Sequence, residues 1–261
     1  NSGAAVSGAG TFDADLAGNW WGSDTGPAHA LNAGGTANGV SDDIAYSPWV
    51  GFGDASGAVG FQLASPMTWF ANPDVCYGTC VQRAVDFSSN GDTVKAKTGV
   101  FPEHVVVNKS ITLTSASLPI IDGGGSGDVV TVTADNVTVS NLEIRNGANA
   151  VVVASGADNA TVTGNNLNTF TSAGLRATSS TGDQLNTNTI TGPHTGSCVG
   201  GLWGMLLQDV SGTVNANMVS GIGNGLTTGC QEGRGIEAKG AGALGITNNN
   251  ITQYQKSGII V

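Results

Sequence analysis

The chain has 261 residues and a formal net charge of −10, and charged residues make up only 11% of it. This acidity argues against nucleic acid or anionic membranes as partners, no apolar run is long enough to insert into a bilayer, and polyanionic glycans fit poorly unless a local basic patch or Ca²⁺ intervenes. Glycine contributes 41 residues and hydrophobic residues 39%, which is typical of tightly turned β-structure rather than of a disordered chain.

Residues 1–22 have the pattern of the closing coils of a β-solenoid, although they come first in the chain. Joined after residue 261, they would continue the repeat of the C-terminal end. We therefore expect them to complete either the stack of their own chain or that of a neighbouring copy. The residues assigned to this contact are Val6, Leu16, Asn19, Trp20, Trp21, Ile246, Ile251, Ile259 and Val261.

Residues 23–79 interrupt the period and predict an irregular cap and connector. Turn signals such as Gly34-Gly35 alternate here with large aromatic residues that can cover the end of a stack. Asp24, Asp42 and Asp43 lie in these turns, where capping of the turn is favoured over a Ca²⁺ site. No other metal or cofactor is expected.

Four cysteines are present, and paired cysteines favour an extracellular setting. Cys76 and Cys80 predict a local disulfide or bonds to another chain, because a zinc site would need two further ligands. Cys198 and Cys230 lie in loops at matching places on neighbouring coils, so a disulfide between them is expected.

Residues 80–261 predict a parallel β-helix that opens with a short amphipathic helix over residues 80–90. Val81, Ala84 and Val85 form the inward face of that helix. Alternating strands begin at residue 91. Their predicted inward residues are Val94, Ala96, Val105, Val107, Ile111, Leu113, Ile120, Val130, Val132, Val137 and Val139.

A six-residue phrase of the form apolar-x-x-Asn-x-apolar then recurs, with starts at residues 139, 162, 185, 214 and 246. The starts are 23 to 32 residues apart, about one coil of a parallel β-helix. Side-chain amides at one place in successive coils can form a ladder, at a bend whose left-handed backbone Asn tolerates. The predicted ladder consists of Asn165, Asn188, Asn217 and Asn249.

A second column of apolar residues lies about ten residues before each phrase and is expected to start a strand. Its members are Val152, Leu175, Met205 and Ile236. In these strands Ala177, Leu207 and Ala238 should also point inward. Arg176, Leu206 and Glu237 should point outward. Four Asn-x-Ser/Thr sequons are candidate glycosylation sites: Asn108, Asn136, Asn159 and Asn250.

Two groups of motifs resemble a known family. The first runs from Gly91-Asp-Thr-Val through Gly99-Val-Phe-Pro-Glu-His, Asn108-Lys-Ser-Ile-Thr-Leu and Ile121-Asp-Gly-Gly-Gly to Asn136-Val-Thr-Val. The second comprises Asn19-Trp-Trp-Gly-Ser-Asp-Thr-Gly-Pro27 and Val40-Ser-Asp-Asp-Ile-Ala-Tyr-Ser-Pro-Trp49. Together they resemble right-handed parallel β-helix repeat proteins of the pectin-lyase-like type. The resemblance implies a secreted or surface-exposed protein in which the second group should follow the first. Its early position here leaves a circular permutation, a tandem array and donation of residues 1–22 to another copy as alternatives.

We therefore expect a structural extracellular protein, not an enzyme, whose partners are copies of itself arranged head-to-tail into a filament or surface array. One alternative is carbohydrate binding through the loops 191–203 and 221–234, with Trp203 stacked on a sugar. The other is a polysaccharide lyase or hydrolase, a chemistry that needs converging carboxylates. The outward residues available to it are Arg176, Gln208, Asp209, Glu237 and Lys239.

Overall fold

The computed structural model describes residues 12, 14–51, 66–193, 201–223, 232–240 and 242–261. Parallel strands dominate these residues and stack in register, which confirms the prediction of an all-β, parallel β-helix-like fold. Val6, Cys198 and Cys230 lie outside the described residues, so the predictions for them stay predictions.

The N-terminal part forms a cap made of short elements. Its strands are β1 (Ala14–Asp15), β2 (Ile44–Ala45), β3 (Trp49–Gly51) and β4 (Thr68–Ala71). A 3₁₀ turn at Pro73–Val75 leads into the helix α1, Cys80–Phe87. Helix α1 buries Val81, Ala84 and Val85, as the periodicity predicts.

Seven successive coils follow in the part of the chain that the structure describes. The first two have three strands each: β5 (Thr93–Ala96), β6 (Val100–Phe101) and β7 (Val105–Val107), then β8 (Thr112–Thr114), β9 (Ile120–Asp122) and β10 (Asp128–Val132). In the next two coils, two strands run on into one: β11 (Thr138–Ser140) and β12 (Glu143–Val153), then β13 (Thr161–Thr163) and β14 (Asn166–Thr178).

The last three coils again have three strands each. They are β15 (Asp183–Asn186), β16 (Thr189–Thr191) and β17 (Leu202–Gln208); β18 (Gly212–Asn215), β19 (Met218–Ser220) and β20 (Gly233–Lys239); and β21 (Leu244–Thr247), β22 (Asn250–Ile251) and β23 (Ser257–Ile260).

Strands at equal places in successive coils pair in parallel and give the solenoid three faces. One face runs β4-β5-β8-β11-β13-β15-β18-β21 and ends in β3, which pairs with β4 in the antiparallel sense. The second runs β6-β9-β12-β14-β16-β19-β22, and the third runs β7-β10-β12-β14-β17-β20-β23. The long strands β12 and β14 bend across the corner between the second and third faces.

The core fills the space between the faces with aligned columns of apolar side chains. Leu175, Met205 and Ile236 pair in register and are fully buried, as predicted. The column continues one coil earlier at Val151, so the assignment of Val152 to it was wrong by one residue. Because side chains alternate along a strand, a shift of one residue turns the side chain to the other face.

The same one-residue error affects β9. Ile121 is buried and pairs with Ile144, whereas Ile120 is only half-buried, in contrast to the prediction. In both strands two apolar residues are adjacent in sequence, so the sequence alone does not decide which of them faces the core. Pairing with the neighbouring coil decides it.

The cap binds to the N-terminal end of the solenoid, and part of the predicted connector already belongs to the sheet. Strand β4 pairs with β5 in parallel, so the parallel sheet begins at Thr68 rather than after residue 79. The buried carboxylate of Glu103 accepts hydrogen bonds from the backbone N–H groups of Val81 and Gln82, both at 2.9 Å. It thereby holds the first turn of α1 against the first coil.

Candidate functional site

The C-terminal end of the solenoid exposes the inner side of its last coil. Strands β21, β22 and β23 each pair with the coil before them, and their outer edge is unpaired within the described residues. Ile259 pairs in register with Ile236, which is 0% exposed, yet Ile259 is 48% exposed. Val261 is 88% exposed, and Ile246 and Ile251 pack half-buried against the core. An open strand edge beside apolar side chains is a surface to which further strands bind.

A ladder of side-chain amides runs along one corner towards this end. Asn188 is fully buried, and its Nδ2 donates to the Val162 carbonyl at 2.8 Å and to Asn217 Oδ1 at 3.2 Å. Its Oδ1 accepts from the backbone N–H and the carboxamide of Asn165, both at 3.1 Å. Every polar atom of this buried side chain therefore has a partner, which a buried amide requires.

The ladder begins and ends differently. At its start the Leu142 N–H donates to Asn165 Oδ1 at 3.1 Å, and no amide stands below it. At its end Asn249 Oδ1 accepts from the N–H and the carboxamide of Asn217, at 3.0 and 2.8 Å. Within the described chain, Asn249 Nδ2 donates only to the Val214 carbonyl. Asn249 thus keeps a free donor that points to the open end.

The left-handed residue of each ladder turn is not the Asn, in contrast to the expectation. It is the residue before it, because the chain turns one position earlier and leaves the Asn side chain to bond between coils. These residues are Gly164, Thr187, Ala216 and Asn248, with φ of 67°, 56°, 57° and 55°.

Residues 14–22 carry the same local signature at the other end of the molecule. Gly18 has φ of 79° and precedes Asn19, as the left-handed residues precede the ladder Asn. The Asn19 side chain is exposed and donates to the Leu16 carbonyl at 2.8 Å. Sequence and backbone therefore resemble a ladder turn, although Asn19 donates within its own turn and not to a neighbouring coil.

This closing segment packs on the N-terminal end of its own chain. Leu16 N–H donates to the Ala45 carbonyl and Gly18 N–H to the Pro48 carbonyl, both at 2.7 Å. Trp20 packs against the main core. The last coil lies at the opposite end of the sheet order, so the interpretation that residues 14–22 close the stack of their own chain is wrong.

The second closing tryptophan, Trp21, belongs to the cap. Its ring packs edge-on against Tyr46, with 6.1 Å between the centroids. Tyr46 and Trp49 are fully buried and form a small second core there. The cap is thus held by contacts of its own as well as by the first coil.

On the third face, the outward residue Glu237 is buried by its neighbours. Its carboxylate accepts from Trp203 Nε1 and from Lys239 Nζ, the latter at 2.7 Å. Arg234 lies over the Trp203 ring at 5.4 Å, and its Nε is 3.3 Å from Glu237 Oε2 without hydrogen-bond alignment. Glu237 points outward, as predicted, but its neighbours cover it and leave it only 4% exposed. Arg176, two coils below, is exposed.

The charges around Glu237 set its protonation. Burial by itself would raise the pKa of this carboxyl. The hydrogen bonds from Lys239 and Trp203, together with the charges of Arg234 and Lys239, outweigh burial and lower the pKa below its ordinary value. Glu237 is therefore held as a carboxylate within an ion cluster.

The other predicted site residues are dispersed. Cys76 and Cys80 form a disulfide, which confirms the local alternative. The sequon residues Asn108, Asn136, Asn159 and Asn250 are all exposed.

The three turn aspartates lie apart in the cap. Asp42 pairs with His29 at 3.0 Å, Asp43 occupies a left-handed turn position, and Asp24 lines a cavity. In the described ranges no group of three or more His, Cys, Asp or Glu side chains is arranged to hold a metal ion.

Two sets of residues were missed by sequence reasoning. Asp135 and Asp158 form a second, shorter ladder, in which Asp135 accepts from the Asp158 N–H at 2.9 Å and Asp158 from the Thr181 N–H at 2.8 Å. Their spacing of 23 residues was a signal that could have found them. Lys95 and Lys97 line a cavity beside the cap. The chain has only nine basic residues, and the position of these two within three residues of sequence was a signal that could have found them.

Comparisons of the chain with protein-family models, curated proteins and solved structures found no match. Over its described ranges, the chain contains no helix with the length and hydropathy that crossing a bilayer requires.

Proposed function

We propose that this chain is a structural extracellular protein that stacks head-to-tail with copies of itself. The open last coil of one copy binds the capped N-terminal end of the next, so that the solenoid continues through the contact. The observation that carries this proposal is the 48% exposure of Ile259, an inward residue one coil beyond the fully buried Ile236.

The closing segment of a second copy fits this end for a specific reason. Asn249 keeps a donor at the open end of the ladder, and Asn19 presents an exposed carboxamide after a left-handed residue, as ladder residues do. Asn19 Oδ1 of the next copy would accept from Asn249 and continue the ladder by one step. The contact is heterologous, and repetition of such a contact gives a filament rather than a closed ring.

The ends need not exchange strands for this contact. Residues 14–22 are hydrogen-bonded to residues 44–50 of their own chain, and Asp15 pairs with Arg83 at 2.7 Å. Stacking of two formed ends keeps these bonds, whereas donation of the segment to another copy would break them. We therefore favour stacking over strand donation.

The extracellular setting and the family are part of the same proposal. The Cys76–Cys80 disulfide supports an oxidising compartment. Coils with three faces support the pectin-lyase-like resemblance, in a member that serves as scaffold. The net charge of −10 argues against nucleic acid as the partner.

The experiment is sedimentation velocity over a wide concentration range, with electron microscopy of the most concentrated sample. We expect species that grow with concentration and thin, unbranched filaments. Ile259→Asp places a charge in the contact and should leave the protein monomeric, while Asn19→Ala should weaken assembly without unfolding the cap.

The matched control is Met218→Asp, which introduces the same charge on a side wall at a residue that is 58% exposed. It should assemble like the unchanged protein. A chain that stays monomeric at every concentration, or an Ile259→Asp variant that assembles as well as Met218→Asp, would refute the proposal.

A further inference from the structure

A cavity of about 440 Å³ lies between the cap and the first two coils. One wall comes from the cap turn around Asp24 and Gly34, and the other from Lys95, Lys97 and the turn after β8. Cavities that hold small ligands begin at about 300 Å³, so this one has room for a single sugar ring. It lies at the opposite end of the sheet order from the open last coil of the same chain.

Two ammonium groups line this cavity in a chain that is otherwise strongly acidic. Lys97 Nζ donates to Asn32 Oδ1 at 2.6 Å and lies 5.3 Å from the centre of the Trp49 ring. Lys95 Nζ lies 5.9 Å from the centre of the Phe70 ring. Neither ammonium forms an ion pair with a carboxylate of the described residues. Burial lowers the pKa of Lys97, and an anion beside it would oppose that effect.

The charge of the lining favours a ligand with one negative charge. Among the described lining residues, Lys95 and Lys97 carry two ammonium groups and Asp24 carries one carboxylate. Over these residues the excess is a single positive charge. A dianion such as a phosphate monoester would carry more negative charge than this excess, and the Asp24 carboxylate would repel it.

Hydroxyl groups cover the side of the cavity formed by the coils. Thr98 Oγ1 donates to Ser117 Oγ at 2.9 Å, and Ser117 Oγ lies 3.4 Å from Ser115 Oγ. Both serines line the cavity. A row of hydroxyls can donate to and accept from a polyhydroxylated ligand.

An aromatic pair forms the apolar wall. The rings of Trp49 and Phe70 are stacked, with centroids 5.6 Å apart and planes inclined by 15°. Phe70 is stacked on Trp49 and has Lys95 over its ring, so the partly exposed edge of Phe70 is the apolar surface beside the ammonium groups. Sugar rings pack their C–H faces on such surfaces while their hydroxyls bond to polar walls.

We propose that this cavity binds a sugar that carries a sulfate ester. A tetrahedral sulfate offers several oxygens, so it can accept from two lysines that stand two positions apart on one wall of the cavity. A planar carboxylate is matched best by the fork of an arginine, and none of the lining residues that the structure describes is an arginine. The single charge of the ester equals the excess charge of the lining.

The test is isothermal titration of the intact chain with glucose 6-sulfate, glucuronate, glucose 6-phosphate and glucose. We expect glucose 6-sulfate to bind with a Kd at least about tenfold below those of the other three, since one charge-assisted contact is worth about that factor. The affinity should fall as salt is added. Equal or tighter binding of glucuronate, glucose 6-phosphate or glucose would overturn the proposal.

Variants locate the site. Lys95→Gln removes an exposed ammonium and should raise the Kd about tenfold without changing thermal unfolding. Lys97→Gln should also raise the Kd about tenfold. Lys256→Gln is the matched control, because Lys256 is exposed at the opposite end of the solenoid. Binding that survives both cavity variants, or that falls equally in the control, would contradict the assignment.

Discussion

The carboxamide of Asn188 donates to Oδ1 of Asn217 at 3.2 Å, across 29 residues of sequence and one step of the solenoid. The same Oδ1 accepts from the Asn188 backbone N–H at 2.9 Å. One oxygen therefore accepts two hydrogen bonds from the preceding coil. This arrangement makes each ladder amide a partner for the backbone as well as for the next amide.

Asn188→Ala should be strongly destabilising. It removes a buried side chain that makes four hydrogen bonds. The backbone N–H of Asn165 loses its acceptor, and the Asn165 carboxamide keeps only the Val139 carbonyl. Each buried group left without a partner costs about 1–3 kcal/mol, so we expect a loss of roughly 2–5 kcal/mol in the free energy of unfolding. Urea denaturation measures it.

The control for this prediction is Asn166→Ala. Asn166 lies one residue after the ladder position, and its side chain makes no hydrogen bond within the described residues. Its replacement should cost less than about 1 kcal/mol. If both variants lose the same stability, the ladder is not a principal source of stability in the solenoid.

Ala216→Asn should stabilise the protein. Ala216 is exposed and held at φ of 57°, a left-handed conformation that costs an alanine about 1–2 kcal/mol and an asparagine less. We expect a gain of about 0.5–1 kcal/mol in the free energy of unfolding. The measurement is the midpoint of chemical denaturation.

Met218→Asn provides the comparison, because Met218 lies in a strand two residues later and is also exposed. Asparagine is unfavourable in strands, so this variant should be neutral or less stable. A loss of stability in Ala216→Asn would show that the turn conformation is not the limiting factor there.

The repeat could be predicted from the sequence because each coil must match the one before it. Asn165, Asn188 and Asn217 recur at one place, and only a stack of coils explains apolar residues that keep the same spacing around them. The sequence predicts less well which residues of a strand point inward. Val151 and Val152 are both apolar, and only pairing with Leu175 shows which of them points inward.

The ends could not be predicted in the same way. The sequence marks residues 14–22 as a ladder turn, but it does not state to which end of a stack the turn belongs. The contacts of Leu16 with Ala45 and of Trp20 with the core decide that question, and both depend on residues far apart in the chain. The cavity beside Lys97 was missed for the same reason, since its two walls meet only when the cap has docked.

Glu237→Gln should change the pH dependence of stability. A carboxyl whose folded-state pKa is lowered contributes stability above its unfolded pKa and loses it as the pH falls through the folded value. The unfolded value is about 4.3, so the window lies below that pH. We expect the variant to be less stable than the unchanged protein at pH 7 and the difference to close towards pH 3.

Thermal unfolding of both proteins between pH 7 and pH 3 tests this expectation. Glu232→Gln is the control, because the Glu232 side chain is 45% exposed and its carboxylate lies 3.9 Å from Arg234. The control should follow the unchanged protein over the whole range. A difference between Glu237→Gln and the unchanged protein that stays constant with pH would rule out the ion cluster as its source.

Glu103→Ala should loosen helix α1. Thr79 at the N-cap position makes no side-chain hydrogen bond to the helix, so the Glu103 carboxylate is the cap. Its loss leaves the N–H groups of Val81 and Gln82 without their acceptor at the face of the first coil, which should cost about 1–3 kcal/mol. Glu103→Gln keeps one acceptor oxygen, so its loss of stability should lie between zero and that of Glu103→Ala.

Hydrogen exchange at the amides of Val81 and Gln82 measures the effect directly. Asp86→Ala, at an exposed position of the same helix, should leave the protection of these amides unchanged. Unaltered protection of Val81 and Gln82 in Glu103→Ala would mean that packing of α1, rather than its cap, fixes the helix on the solenoid.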